Sequence, residues 1–325
     1  MFNQPVLKQI VEKIKEYDTV IIARHQRPDG DCIGASLGLR ALLRASFPAK
    51  EIYSVGKGKA EYLDFLGSED VIDEEKYQNA LIIVVDTANH ERIDDDNYNK
   101  GAYLIKIDHH IITDNYADLS YVEEEAAASC CLIVKLWQAN LDVLKMTDEA
   151  ALALYAGIVT DTGRFRFSAT DGESLELASM LLKYQINTEW LYAKLYLKDQ
   201  EMLALQGEVM RKFKATENIA YVHITKAMQE KYNLTPEESA NVVNMLDCLK
   251  GVLAWVAFVD QKDESIRVRL RSRFCPVNKV ANNYRGGGHA NASGATVYNK
   301  REMNKLLKEL DSVVAEYKRG NTGWL

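Results

Sequence analysis

Thr19-Val20-Ile21-Ile22-Ala23-Arg24-His25-Gln26-Arg27-Pro28-Asp29-Gly30-Asp31 decides the fold of this chain. Five β-branched or small apolar residues predict a strand, an acidic turn follows it at once, and Ile33 to Ala45 then has the apolar positions of a buried helix. The same grammar recurs. Leu81 to Val85 is followed by Asp86-Thr87, and Tyr103 to Ile107 by Asp108-His109-His110, while Ile52 to Val55 supplies a further strand. Apolar runs with little polar alternation suit a sheet covered on both faces, and their alternation with helices implies parallel crossovers. The expectation is an α/β fold whose acidic groups gather at the carboxyl edge of the sheet, where open α/β sheets place ligands.

Such a gathering needs positive charge. Carboxylates meeting at ~4 Å repel by about 4 kcal/mol per pair at intermediate dielectric. A pair of divalent cations answers that need, and a donor set of Asp and His without thiolate suits a borderline or hard ion such as Mn²⁺, with Mg²⁺ or another divalent ion as the alternative. Asp161 joins the set at the end of a helix opened by Thr147-Asp148-Glu149 and closed by Gly163. Each element has an ordinary reading alone: Asp29-Gly30-Asp31 as a turn, Asp86 as a helix cap, the paired histidines as structural residues. On a turn centred at Gly30, Asp29 and Asp31 can address two neighbouring ions. The joint pattern, not any single motif, points to a two-metal hydrolytic centre.

Composition bounds the partners. The chain has 325 residues, 47% hydrophobic and 27% charged, enough for two soluble domains. Its longest apolar runs, Leu152 to Val159 and Val252 to Val259, fall short of the roughly 20 residues of a membrane helix. No signal peptide is legible, and five cysteines without C-x-x-C spacing suit a reducing compartment, so a cytoplasmic protein without membrane contact is expected and the cysteines read as packing residues. A net charge of −7 disfavours a broad basic surface for long duplex nucleic acid.

Phosphate recognition must then be local. Arg267, Arg269, Arg271 and Arg273 are spaced by two, which on a strand puts every guanidinium on one face and Val268 and Leu270 on the other. Gly286-Gly287-Gly288-His289 reads as a nest-like loop able to turn backbone N–H groups to an anion, with Arg285 beside it and Tyr284 placed either to stack on a base or simply to pack. Arg269, Arg271, Ser272, Gly286, Gly287, Gly288 and His289 are therefore the candidate substrate-binding residues. Leu175 to Phe213 reads as continuously helix-compatible, a connector between two lobes. Thr235-Pro236-Glu237-Glu238 opens a helix with capping-box chemistry, and another helix spans Arg301 to about Tyr317.

With Asp108-His109-His110, Gly286 to His289 and Ala292-Ser293-Gly294 in place, the chain resembles the DHH/DHHA1 phosphoesterases over nearly its whole length, and among them the oligoribonuclease and pAp-phosphatase type. The resemblance implies a parallel-sheet DHH domain over 1–190, a helical connector over 191–215 and a smaller α/β DHHA1 domain over 216–325, with the active site in the cleft between the domains. It implies that His25, Asp29 and Asp86 hold one ion, that Asp31, Asp86, His109 and Asp161 hold the other, that His110 faces the substrate phosphate, and that Asp108 orients the histidines. The expected substrates are very short RNA, dinucleotides such as pApA, and 3′-phosphoadenosine 5′-phosphate, attacked by an activated water with no covalent intermediate. A cyclic or linear dinucleotide signalling phosphodiesterase and a non-catalytic nucleotide sensor are the alternatives, and the oligomeric state, a homodimer included, stays open. Arg285 departs from the family pattern, where a further glycine commonly stands, and the helix near Ser129-Cys130-Cys131 lacks an expected glutamate.

Overall fold

A computed structural model describes residues 4 to 323. The chain forms two compact units, Met1–Leu197 and Lys198–Leu325. In the first, strands β1 (Thr19–Ala23), β2 (Glu51–Val55), β3 (Leu81–Val85), β4 (Tyr103–Asp108) and β5 (Leu119–Val122) form one sheet in the order β2-β1-β3-β4-β5. All four pairings are parallel. β3, Leu-Ile-Ile-Val-Val, is buried along its whole length, as a central strand covered on both faces must be. The chain runs outward from β1 to β2 and then returns to the other side of β1, so β1 and β3 flank the point where strand order reverses. Ligands of open α/β sheets bind beyond that point.

Helices α1 (Gln4–Glu16), α2 (Gly30–Ser46), α3 (Ser129–Gln138), α4 (Asp148–Asp161), α5 (Gly172–Leu181) and α6 (Thr188–Tyr196) complete this unit. Their starts follow local chemistry. The Asp29 carboxylate accepts from the Cys32 N–H to cap α2, and the Thr147 hydroxyl accepts from the Ala150 N–H to cap α4. α2 and α4 approach closely because α2 carries glycine at every fourth position, Gly30, Gly34 and Gly38. A Cβ on Gly34 would stand 2.6 Å from the Ala153 carbonyl oxygen and 3.1 Å from the Gly157 Cα. This seam brings the first turn of α2 against the last turn of α4, and so carries Asp31 toward Asp161.

The second unit holds β6 (Lys214–Ala215), β7 (Ile219–Ile224), β8 (Ala254–Asp260), β9 (Ile266–Ser272), β10 (Gly287–His289) and β11 (Ala292–Val297), in the order β10-β11-β9-β8-β7-β6. Only β7 and β8 are parallel neighbours. Its helices are α7 (Gln200–Lys212), α8 (Lys226–Lys231), α9 (Pro236–Ala240), α10 (Asn278–Asn282) and α11 (Lys300–Gly320). One core lies between the sheet and α10 and α11, around Phe258, Val268, Leu306 and Leu310. The other lies between the sheet and α7 with the 3₁₀ segment Asn241–Cys248, around Leu205, Val209, Leu246 and Trp255.

Three features differ from the sequence expectation. The stretch from Leu175 to Phe213 is three helices with breaks over 182–187 and 197–199, since helix-compatible composition does not show where tertiary packing turns the chain. β5 went unread because four residues, Leu-Ser-Tyr-Val, give too little alternation to register. β10 and β11 went unread because glycine clusters signal turns. Among the described residues no helix is long and apolar enough to cross a membrane.

Gly34→Ala is expected to destabilise the chain by about 1–3 kcal/mol, because the added methyl meets backbone that cannot move aside. Gly207→Ala, in α7 with nothing within 4 Å of a new Cβ, is expected to stabilise it by roughly 0.4–1 kcal/mol. Urea denaturation of the two variants should give midpoint shifts of opposite sign.

Candidate metal centre

The site assembles at the carboxyl ends of β1, β3 and β4. Leaving β1, Arg24 is fully buried and donates to Glu69, to Asp94 at 2.6 Å and to the carbonyl of His25 at 2.9 Å. That network fixes the backbone from which His25 projects. Leaving β3, Asp86 takes a left-handed φ of +50° while its N–H donates to the Ile107 carbonyl at 2.9 Å. A non-glycine residue held there is uncommon, and such outliers concentrate at functional sites. Leaving β4, Asp108, His109 and His110 follow in succession.

The ligand atoms converge. His25, Asp29, Cys32 and Asp86 form one group, Asp86, His109 and His110 a second, and Asp31, His109 and Asp161 a third, each with its atoms within 4.8 Å of one another. Asp86 is common to the first two groups. Its Oδ2 lies 3.3 Å from His25 Nε2, and its Oδ1 lies 3.5 Å from His109 Nε2 and 3.5 Å from His110 Nδ1. On the far side, His109 Nε2 is 3.6 Å from an Asp161 oxygen and 3.9 Å from Asp31 Oδ2. Asp29 lies 3.6 Å from His25 and falls in a different group from Asp31. The two are not on a free turn. Asp29 caps α2, and Asp31 lies in its first turn.

Electrostatics shows what the cluster lacks. Burial, and then the neighbouring Asp86, push the Asp31 carboxyl up to about 6. Burial and Asp31 likewise raise Asp161 well above the carboxylate range. Burial works against charging His109, yet Asp86, Asp161 and Asp31 outweigh it and raise the imidazole to about 9. His25 is raised in the same way, its burial overcome by Asp29 and Asp86. All four shifts express one need, positive charge among the carboxylates. A divalent cation meets that need, and leaves the imidazoles neutral and able to ligate. Carboxylate oxygen with imidazole nitrogen fits such an ion.

Supporting contacts hold the donors in place. The N-terminus of α3 offers its unpaired N–H groups to Asp31, Ser129 N–H donating at 2.6 Å and Cys130 N–H at 3.0 Å, while the Ser129 hydroxyl donates to Asp86 at 3.0 Å. Asp108 lies 2.8 Å from His110 Nδ1, whereas His109 Nδ1 meets the Ala126 carbonyl at 3.0 Å. The expectation that Asp108 orients both histidines is therefore corrected to His110. Behind Asp108 stands a lysine the sequence reading missed. Lys106 is buried within β4, 3.1 Å from Asp108 Oδ2, and donates to the Ala88 carbonyl. Although burial opposes it, His110 and then Lys106 hold the Asp108 carboxyl down at about 2. A signal for it existed: Lys106 and Asp108 are two apart on a strand and share a face. Cys32 sits beside Asp29, its thiol pushed up to about 12 by burial.

In the second unit β9 alternates as expected, with Arg267, Arg269 and Arg271 half-buried on one face and Val268 and Leu270 buried on the other. Arg269 lies between Gly294 and Ala257, and Arg271 between Ala292 and Trp255. Arg269 thus has small residues on both sides, whereas Arg271 stands beside Trp255 and donates to the Leu270 carbonyl at 2.9 Å. Ser272 does not belong to it: that residue falls on the buried face, and its hydroxyl donates to the Cys275 carbonyl at 2.5 Å. Arg273 lies beyond the strand, over the Trp255 ring. Gly287 to His289 is not a nest either. It is the edge strand β10, paired antiparallel with 292–294, and a Cβ on Gly286 would stand 2.0 Å from the Gly294 carbonyl oxygen. Tyr284 is buried and bonded to Glu309, which leaves it a packing residue.

Arg285 carries a left-handed φ of +56°, the conformation glycine adopts without strain. Its guanidinium is engaged by the Thr296 carbonyl, Glu302 and the Tyr298 ring. It is thus tied into the fold of this unit instead of extending the glycine motif toward a ligand.

Comparison with known proteins bears on both units. Residues 19–158 match the DHH family N-terminal domain, and residues 217–316 match the DHHA1 domain. The chain is 40% identical to the bifunctional oligoribonuclease and PAP phosphatase NrnA of Bacillus subtilis, over 95% of this chain and 99% of that protein. A probable protein of the same name from Streptococcus mutans is 39% identical over 94% of this chain and 98% of its own length. The crystal structure of an exopolyphosphatase-related protein from Bacteroides fragilis superposes with a TM-score of 0.86 at 26% identity, covering 97% of each chain. By both family matches and by relatives similar from end to end, the chain belongs to the DHH family of phosphoesterases and carries its DHHA1 domain.

Proposed function

We propose that the chain is a cytoplasmic hydrolase that cuts very short oligoribonucleotides to mononucleotides and removes the 3′-phosphate of 3′-phosphoadenosine 5′-phosphate, in line with relatives named bifunctional oligoribonuclease and PAP phosphatase. The observation that carries this reading is the position of Asp86, whose two oxygens face different imidazoles, His25 on one side and His109 with His110 on the other. A carboxylate so placed can be shared between neighbouring cations. His25, Asp29 and Asp86 would hold one ion, and Asp31, Asp86, His109 and Asp161 the other, manganese being the ion we assign. Two such ions supply an acidified water as nucleophile and offset the charge that builds on the phosphoryl oxygens.

The chain's own groups do the positioning. α3 and Ser129 hold Asp31 and Asp86 so that their oxygens cannot swing away when a ligand leaves. His110 and then Lys106 keep Asp108 ionised and acceptor-only, so Asp108 would fix the proton of His110 on Nδ1 and leave the ring's Nε2 for the phosphoryl group. Arg269, whose strand neighbours are Gly294 and Ala257, and Arg271 would take a further phosphate of the substrate, and the hairpin of β10 and β11 would let its backbone approach closely.

Asp86→Asn is expected to lower turnover of pApA by at least about a hundredfold while leaving the far-ultraviolet circular dichroism unchanged. Chelation should abolish hydrolysis and Mn²⁺ restore it, and added Mn²⁺ should raise the melting temperature of the wild type by stabilising the native state, about 2.7 kcal/mol at a hundred times Kd, but not that of Asp86→Asn. Arg269→Ala and Arg271→Ala are expected to raise KM for pApA more than they lower kcat, which steady-state kinetics would resolve. Release of mononucleotides from pApA, and of phosphate from 3′-phosphoadenosine 5′-phosphate, tests the reaction itself. Exclusive turnover of cyclic di-AMP, or binding without turnover of any of these, would overturn it.

A further inference from the structure

The segment after Asp161, Thr162-Gly163-Arg164-Phe165-Arg166-Phe167, is not explained by metal binding. Gly163, Arg164 and Phe165 take φ of +55°, +64° and +60°, so three successive residues, two of them not glycine, are held left-handed. Strain of this kind persists only where the surroundings fix it. They do. Thr162 is buried, its hydroxyl accepts from the Phe165 N–H at 3.0 Å, and its carbonyl accepts from the N–H groups of Arg166 and Phe167. The turn alternates its side chains. Phe165 packs inward, 6.4 Å from the Tyr155 ring, whereas Phe167 is half exposed and folds back over Gly163.

Other aromatic groups continue the surface. The Arg164 guanidinium lies 4.5 Å over the Tyr196 ring of α6, and Tyr62, half exposed, stands on the 3₁₀ segment Glu61–Leu66, which packs against α6 and α4. Exposed rings and one stacked guanidinium therefore stand on adjoining elements of the first unit: the turn that follows Asp161 at the end of α4, the helix α6, and the 3₁₀ segment Glu61–Leu66 packed against both helices. Arginine on an aromatic ring presents a second flat cationic face, and rings rigidly held at low entropic cost are the platforms on which bases stack. Packing alone does not account for Phe167, because an exposed phenylalanine on a strained turn contributes little to a core.

We propose that Tyr62, Arg164 and Phe167 form a base-stacking subsite, on which one nucleobase of a short oligonucleotide rests while its phosphate lies at the cluster. This rests on the hydrolytic reading above and deepens it, by giving the first unit its own hold on the base. It would make the enzyme select nucleotides over other small phosphoesters, without reading sequence, since every base has a π face.

The test compares pApA with analogues in which one base or the other is replaced by hydrogen, and places 2-aminopurine at each position in turn as a fluorescent reporter of stacking. In the wild type, removing the stacked base should lower kcat/KM by about tenfold or more, mainly through KM. In Phe167→Leu that ratio should fall toward one, and Phe167→Tyr should restore it. The 2-aminopurine quenching on binding should be lost in Phe167→Leu and kept in Phe167→Tyr. Equal loss of activity on intact and base-free substrates in Phe167→Leu, or hydrolysis by a wild type that quenches neither reporter, would overturn the subsite. Quenching without hydrolysis would overturn the reaction assigned above and leave the subsite standing.

Discussion

Mutual repulsion among buried carboxylates is the constraint around which the first unit is built. Asp31 and Asp86 are nearly excluded from water, and Asp161 is half covered beside them. Unneutralised, such a cluster costs several kcal/mol per contact at intermediate dielectric. The fold answers with fixed partial charges of its own. The α3 N-terminus donates twice to Asp31, Ser129 donates to Asp86, and the imidazoles of His25 and His109 are driven toward the charged form. Preorganised dipoles of this kind are paid for in folding, so the site need not rearrange to receive a cation.

The packing of the helices serves the same end. Gly30, Gly34 and Gly38 allow α2 to lie against α4 closely enough for Asp31 and Asp161, 130 positions apart in sequence, to share His109. The parallel sheet does the rest, because β1, β3 and β4 are neighbours and each releases its acidic turn at the same edge. Neither a strand nor a helix alone could present this donor set. It is a property of the topology.

This explains what could be read in advance. Strands β1, β3 and β4 were legible because they are apolar throughout, and their acidic turns were legible because carboxylates rarely follow buried strands without cause. Contacts that depend on a neighbouring element were not. Ser129 and Cys130 reach Asp31 through backbone N–H groups, which no side-chain pattern advertises. Ser272 looked like a partner of the arginines by proximity in sequence, yet the two-residue period of β9 sends it to the opposite face. The glycines at 286–288 looked like a nest because glycine permits one, but pairing with β11 made them a strand. Arg285 is the reverse case, a bulky residue at a position whose backbone favours glycine, held there by contacts to Thr296, Glu302 and Tyr298 that only the folded chain provides.

Charge sets a limit on the substrate from another direction. With a net charge of −7 the molecule repels an extended polyanion at long range, and a polyphosphate chain that lay across its surface would meet that field along its length. Charge is locally reversed at the stripe of Arg267, Arg269 and Arg271, at Arg164 on Tyr196, and at the cluster once it holds divalent cations. Each can take about one phosphate or one base. A ligand with few phosphates suffers little of the repulsion, whereas each added nucleotide brings another charge into that field. Selection for short oligonucleotides then has a source in the distribution of charge, and raising the salt should narrow the difference between short and long substrates by screening the repulsion that separates them.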